Sequence, residues 1–502
     1  MATLVIDALS WWTRARPDAI AFVVGDERIT YAELGRWTDH VAHMLIGEFG
    51  VGPGDVVAVA GANSLEWVAA ALGVVKTGAI VTPVNYRYTP SEIEYLVRDC
   101  SPSVVVGDDV QSGKFRQVFE STGDRPIVAM SSLATMRDGH VEPLHVDVDP
   151  KAPMVLAYTS GTTGLPKGLV YTNETVLAAL FELILKDPTP PDETTLLFAL
   201  PLFSVAGIMH TVLHTVSRGS TAVIMRDFDP AHALDLIVQH KVSHMNGVPL
   251  IYEAISRQPS FARHDLSHVK MAQVGGARVS PELLAAWIGQ GVALRHMYGM
   301  TEVGGCATVP RPPDALAHPE LCGDGSIFTE VRTMRPDGTF CAAGEEGEIV
   351  MRGPAMMARY WNNEQATNEA IVDGWLHSGD LGVLDERGYL RYVDRLKDMV
   401  ISGGFNVSPS EVEGVIGAIP GVTEVAVIAV ADAKWGEAPA AIVNGTDELT
   451  ENEVLAVVKE KLASFKVPKY VVFADAPLPR MASGKLAKRA LREEYAHLAN
   501  TR

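Results

Sequence analysis

An apolar, strand-like run, Met154-Val-Leu-Ala157, leads directly into Tyr158-Thr-Ser-Gly-Thr-Thr-Gly-Leu-Pro-Lys-Gly168. With glycines at 161, 164 and 168, this stretch makes a poor helix or strand interior, but its backbone can approach a ligand closely. Successive N–H groups in such a loop form a concave seat for an anion. Thr159, Ser160, Thr162 and Thr163 add hydroxyls, and Lys167 adds a mobile positive charge suited to phosphate oxygens. It is not a Walker A loop, because six residues separate Gly161 from Gly168 and no Lys-Ser or Lys-Thr pair closes it. A Ser- and Gly-rich surface loop is the bland alternative. The full pattern favours a seat for nucleotide phosphates.

Downstream, Asn173 can cap a helix whose Val176, Leu177, Leu180, Phe181 and Ile184 share one face. That places the phosphate loop between a strand and a helix, where free amides and the helix dipole favour anions. Val56-Val-Ala-Val-Ala60 and Ser103-Val-Val-Val-Gly107 read as short buried strands, alternating with helical stretches such as Leu65–Lys76. The fold class expected is α/β: a large N-terminal domain of βα-layered sheets, plus a smaller α+β C-terminal domain. A Gly-rich, turn-rich region over 323–360 reads as a small β-barrel belonging to the larger domain.

The boundary falls near Lys397, giving domains 1–396 and 397–502. Beyond it, Ser408-Pro-Ser-Glu411 reads as a capping box with Pro at the first helical position. Val422–Val430 reads as a strand, and Thr450-Glu-Asn-Glu453 opens a further helix.

At 502 residues the chain can hold more than one domain. A net charge of −19 disfavours a nucleic-acid groove or an anionic membrane surface as the main partner. Any polyphosphate site must therefore gather its cations locally. Asp7, Arg14, Arg16 and Asp18 interrupt the N-terminal apolar stretches, so no signal peptide is expected. No apolar run is long enough for a membrane span. Cys100, Cys306, Cys322 and Cys341 lack metal-like spacing and suit a reducing, cytoplasmic setting.

The phosphate loop resembles the signature of the adenylate-forming superfamily, which includes acyl-CoA synthetases, nonribosomal-peptide adenylation domains and beetle luciferases. Further pieces follow in that family's order: Tyr298-Gly-Met-Thr-Glu302, His377-Ser-Gly-Asp-Leu381, Asp394-Arg-Leu-Lys-Asp398 with Ile401-Ser-Gly-Gly404, and Gly484-Lys485. The likeness is greatest to AMP-forming acyl-CoA ligases. It implies a mobile C-terminal domain hinged at Lys397, and activation of a carboxylate by ATP followed by transfer to CoA.

Attack of a carboxylate on the α-phosphate is opposed by like charge, so catalysis must be positioning and neutralisation. The resemblance assigns Thr159, Ser160, Gly161, Thr162, Thr163, Gly164 and Lys167 to the phosphates. It assigns Thr301 to the α-phosphate and Glu302 to Mg²⁺, a hard ion that prefers oxygen. Tyr298, Gly299, Gly275, Gly276 and Ala277 would surround adenine, and Asp380 and Arg395 would hold the ribose. Lys485 would bridge carboxylate and α-phosphate, although a tail lysine in a basic run with Lys488 and Arg489 is its ordinary reading.

For CoA, the resemblance implicates Gly403 and Gly404 along a pantetheine tunnel, with Arg87, Trp435, Phe465 and Lys466 around the nucleotide. Phe181, Phe203, Ser204, Val205, Ala206, Met209 and Val248 are candidates for an acyl pocket, with Gly304 and Gly305 as its bare floor. Ser204 stands where related chains often carry His, which suggests a wider mouth. The apolar lining favours a fatty, aromatic or polycyclic acid. Arg278 admits a dicarboxylic acid instead, and an amide synthetase would share the same ATP residues. The partners expected are a small carboxylic acid, ATP, Mg²⁺ and CoA, with no nucleic acid. A homodimer is left open.

Overall fold

The computed structural model describes residues 4–500 except 140, 160–165, 188, 277–278, 403–404, 433–434, 447 and 482–484. Its chain divides into two compact units: residues 1–275, 281–331 and 351–376 form the first, and 276–280, 332–350 and 377–502 the second.

The first unit contains two seven-stranded sheets. In chain order its strands are β1 (Ile20–Val24), β2 (Glu27–Thr30), β3 (Val56–Ala60), β4 (Ile80–Val84), β5 (Val104–Gly107), β6 (Ile127–Ala129), β7 (Pro153–Thr159), β8 (Lys167–Thr172), β9 (Thr195–Phe198), β10 (Thr221–Ile224), β11 (His244–Gly247), β12 (Met271–Val274) and β13 (Leu294–His296). One sheet runs β13-β12-β11-β9-β10-β1-β2; the other runs from the short strand Arg359–Tyr360 through β8-β7-β4-β3-β5-β6. β3 pairs in parallel with both β4 and β5, and every residue of β3 and β4 is buried. That is the signature of a parallel sheet covered on both faces, and it explains the unbroken apolar runs read from sequence. Val56, Ala58 and Ala60 share one core with Ile93, Leu96, Phe115 and Phe119. Helix Leu65–Lys76 carries Gly73, where an added Cβ would lie 2.5 Å from Val41 Cγ1 on helix Tyr31–Phe49. The glycine is what lets these helices close.

The order around the phosphate loop differs from the sequence expectation. Lys167–Thr172 is a strand, antiparallel to β7, with Thr159 opposite Lys167 and Tyr158 opposite Gly168. The loop is therefore a hairpin connection. The next helix, Asn173–Leu185, is capped by Thr172 and begins one strand length later, roughly 17 Å along the chain. Its dipole does not serve the loop. Asn173 is buried instead, with Oδ1 accepting from Val5 N at 3.1 Å.

In the second unit a sheet runs Phe405–Val407, Val400–Ser402, Gly436–Gly445, Val422–Asp432, with Tyr470–Phe473 parallel to Gly436–Gly445. Val427, Ala441 and Val443 pack with Val412 and Ile416 of helix Pro409–Gly417, and with Val454 and Val458 of helix Glu451–Lys461. Ser408 and Thr450 cap those helices as the sequence signals required. Of the region read as a small barrel, Glu346–Val350 lies beside the strand continuing through His377–Leu384: Glu348 accepts from Gly379 N at 2.9 Å.

Two half-buried histidines should make the fold acid-sensitive. Burial, then the charge of Arg218, pushes His214 down to about 3, and burial pushes His296 down to about 4. Below the ordinary histidine range the unfolded chain binds protons that the folded chain refuses, so this stability is full above pH ~6.5 and falls with acidification. At pH 5 the pair should cost about 2–4 kcal/mol relative to pH 7. Thermal melts of wild type and a His214→Gln/His296→Gln variant check this, and an equal pH slope in the two proteins would refute it.

Candidate active site

Four candidate segments leave the same edge of the first sheet. Phe203 and Ser204 follow β9, Val248 follows β11, Gly275 follows β12, and Tyr298–Glu302 follows β13. β9, β11, β12 and β13 run parallel, so all four emerge at carboxyl ends, where open α/β sheets bind ligands. At Gly275 an added Cβ would lie 2.6 Å from Met297 Cγ, so only glycine permits this approach of the two loops. Gly276 has φ 78°, a left-handed conformation suited to glycine.

The Tyr298–Thr308 loop is tied at its base by Tyr298 N donating to Thr308 O at 3.1 Å, with the reciprocal bond at 3.0 Å. Tyr298 is buried, and an added Cβ on Gly299 would lie 2.4 Å from Gly305 O. Thr301–Val303 forms a short 3-10 turn that presents Glu302 half-buried.

Residues from distant sequence fix that turn. Tyr171 donates its hydroxyl to the Thr301 carbonyl, and Met357 N donates to the Glu302 carbonyl at 2.8 Å. The Tyr360 hydroxyl donates to Glu302 Oε1 at 2.9 Å, while Lys167 Nζ sits 4.9 Å from the Tyr360 ring centroid. Burial, then the Glu302 charge, raises the Tyr360 phenol, which keeps it a donor. Tyr360 therefore stands between Lys167 and Glu302. Neither tyrosine was legible as a site residue, because nothing in the spacing of 171 or 360 announces which loop it will meet.

Both flanks of the phosphate loop are anchored. Tyr158 donates to Asp99 Oδ2 at 2.5 Å, Tyr95 donates to the Pro166 carbonyl at 2.9 Å, and Trp361 N donates to Gly168 O at 2.7 Å. The loop residues Ser160, Gly161, Thr162, Thr163 and Gly164 lie outside the described residues, as do Ala277, Arg278, Gly403 and Gly404.

Phe203 meets Tyr86 edge to face, with centroids 5.4 Å apart, and Arg87 Cζ lies 5.6 Å from the centroid of the same Tyr86 ring. Tyr86 thus links an acyl-pocket candidate with a CoA candidate. Ser204 caps the helix beginning at Val205: its Oγ accepts from Gly207 N at 3.0 Å and donates to Pro201 O at 2.8 Å. Met209 is fully buried, Val205, Ala206 and Val248 are partly so, and Phe181 is 51% exposed on the helix Asn173–Leu185. The floor at Gly304 and Gly305 is not bare. An added Cβ on Gly305 would lie 2.6 Å from His210 Cε1, and one on Gly304 3.2 Å from Ala179 Cβ.

Within the second unit Asp380 is buried and lies directly across the strand pair from Arg395, with Nε 3.2 Å from Oδ1. The two ribose candidates are thus brought together by register. Lys397 is exposed in the turn Leu396–Asp398. Trp435 is 47% exposed, and Lys466 pairs with both oxygens of Glu411, at 2.7 and 2.6 Å, beside Phe465. Lys485 lies in a loop closed by the Arg480–Leu486 bridge, with its carbonyl accepting from Met481 N at 2.8 Å. Its neighbours Lys488 and Arg489 pair with Glu413 and Glu493.

Residues 9–361 match the family described as AMP-binding enzyme, and 411–485 match the AMP-binding enzyme C-terminal domain. The long-chain-fatty-acid–CoA ligase FadD13 of Mycobacterium tuberculosis is 35% identical over 483 residues, covering 94% of each chain. A feruloyl-CoA synthase of Amycolatopsis sp. is 35% identical over 484 residues, covering 96% of this chain and 97% of that one. Among solved structures, ATP-bound MatB from Rhodopseudomonas palustris superposes with a TM-score of 0.92 at 30% identity over the full length of both chains. Matched along nearly its whole length, the chain belongs to the AMP-binding enzyme family and is an acyl-CoA synthetase of the AMP-forming kind.

Proposed function

We propose that this ligase activates a hydrophobic carboxylic acid with ATP, giving acyl-AMP and pyrophosphate, and that the CoA thiol then displaces AMP to give acyl-CoA. The observation that carries this reading is the Lys167–Tyr360–Glu302 arrangement, in which one tyrosine ring joins a mobile cation to a carboxylate oxygen. The fatty and aryl acids named for the two relatives support a hydrophobic acid here. Four cysteines, none of them in a disulfide among the described residues, support a reducing cytoplasm.

Thr159, Ser160, Thr162, Thr163 and Lys167 would hold the β- and γ-phosphates, and Thr301 the α-phosphate. Mg²⁺ fits the residues present. Glu302 offers an oxygen, Oε2, that accepts no hydrogen bond among the described residues, and no three-residue ligand cluster occurs among them. One carboxylate plus phosphate oxygens is how this ion is usually held. When bound, it would neutralise charge building on the phosphates. Tyr360 keeps Glu302 aimed, and the Met357 amide fixes its backbone. Asp380 and Arg395 would engage the ribose, and Lys485 the carboxylate and α-phosphate. Residues 397–502 would turn about Lys397 between the two steps, bringing Gly403 and Gly404 to the acyl-adenylate, with Arg87, Trp435, Phe465 and Lys466 holding CoA.

Pyrophosphate release over acids of varied length and shape, with and without CoA, tests the reading. An amide synthetase would turn over without CoA once an amine is supplied. Gly404→Leu should slow thioester formation by about tenfold or more while leaving adenylation intact. Equal loss of both steps would remove Gly404 from the CoA path.

A further inference from the structure

His210 was not singled out by any motif, yet it occupies the place expected for empty acyl-pocket floor. It lies on Ile208–Leu213, a π-helical turn following Ser204–Gly207, a form that often marks functional positions. His210 is 6% exposed, and its Nε2 lies 2.6 Å from the Gly304 carbonyl. A carbonyl can only accept, so Nε2 carries the proton and donates. Burial holds the imidazole below its ordinary range and therefore neutral, which leaves Nδ1 as an acceptor with no hydrogen-bond partner among the described residues.

The ring lies against Gly305, whose φ of 97° and missing Cβ make room for it. Met209 Cε and Ala179 Cβ close the neighbouring space at Gly304, 3.8 and 3.2 Å from where a Cβ would stand. The same residue also lines a cavity of about 30 Å³, room for about one or two waters. That cavity is shared with His214, Gln273 and the Asp187–His244–Arg218 cluster, where Asp187 Oδ2 lies 2.6 Å from His244 Nε2 and 2.7 Å from Arg218 Nη1. Burial alone would raise the Asp187 carboxyl, but His244 and Arg218 hold it below its usual range. His210 thus touches both the Gly304–Gly305 backbone and a water-sized polar chamber.

We propose that His210 is the end wall of the acyl pocket and sets the length of acid the enzyme accepts. The inference rests on the reading above, in which Gly304 and Gly305 border the acyl group. The residue does not touch the reacting atoms, and its effect is on which acid reaches them. Substrates are acids short or compact enough to stop at the imidazole, and longer chains are refused because the bulk of this side chain, packed against Gly305, fills the path.

The test is kcat/KM for ATP- and acid-dependent pyrophosphate release over straight-chain acids from butanoate to dodecanoate. Wild type should rise with length and then break sharply. His210→Ala joins the chamber to the pocket and should move the break about two carbons longer, raising the first refused acid about tenfold relative to the best one. His210→Leu restores bulk without the hydrogen bond and should keep the wild-type break. Should the alanine protein fail to fold, His210→Val shortens the side chain in the same direction. A wild-type profile without a break through dodecanoate overturns the proposal, as does a break that stays put in the smaller variants or moves in His210→Leu. Failure of every acid to support pyrophosphate release would sink the ligase reading instead, so the two failures are distinguishable.

Discussion

Lys485→Ala should lower acyl-adenylate formation by about 10³-fold while leaving thioester formation from preformed acyl-AMP within about threefold of wild type. The asymmetry follows from charge. In the first step an organic anion must approach an α-phosphate that is itself anionic, in a protein whose net charge is −19. A cation spanning both oxygens removes the main term in that barrier, and its effect is largest when both charges lie at the reacting atoms. In the second step the electrophile is a mixed anhydride and the nucleophile a thiol, so the same bridge has nothing left to span. A flexible ammonium suits the task because it must follow oxygens whose positions change as the bond forms. The surroundings of Lys485 fit a built loop better than a loose basic tail: Arg480 and Leu486 bridge around it, and Lys488 pairs with Glu413 at 2.7 Å. Rapid-quench measurement of acyl-AMP, run beside thioesterification of synthetic acyl-AMP, separates the steps. Equal losses in both would assign Lys485 to holding the loop, and adenylation at the wild-type rate would remove it from the chemistry.

Much of the architecture was legible because its signals are local. Val56–Ala60 and Leu65–Lys76 sit where their apolar patterns placed them, and Ser408 and Thr450 cap helices through their own side chains. The segment after the phosphate loop was not. Gly168-Leu-Val-Tyr-Thr172 is too short for periodicity to choose between strand and helix. Its pairing with β7 on one side and Arg359–Tyr360 on the other decides the matter, and those partners are tertiary. The site divides in the same way. Motifs carried the residues that would face ligand, whereas Tyr171, Tyr360 and His210 reach the site only through contacts across 58 to 130 positions of chain. Ser204 illustrates the converse: the departure at that position was visible, but its use as a helix cap needed the local backbone.

Glu302→Gln should lower adenylation by about 10²–10³-fold and make it demand far more Mg²⁺. The substitution preserves shape, and the backbone carbonyl of 302 still accepts from Met357 N, so the turn should persist. What it removes is an anionic oxygen, and a neutral amide is a poor ligand for a hard divalent ion. Tyr360→Phe is the companion variant. Its hydroxyl only orients Oε1, at 2.9 Å, so its loss should cost about tenfold and shift the Mg²⁺ requirement less. Part of the Tyr360→Phe loss should also appear as weaker ATP binding, because Lys167 rests over that ring and loses a defined seat if the ring moves. Titrating Mg²⁺ at saturating ATP and acid, in wild type and both variants, gives the ordering directly. Should Glu302→Gln show the wild-type Mg²⁺ dependence with only a uniform loss of rate, the carboxylate would be a structural partner of Tyr360, and the ion would have to be held by phosphate oxygens and water alone.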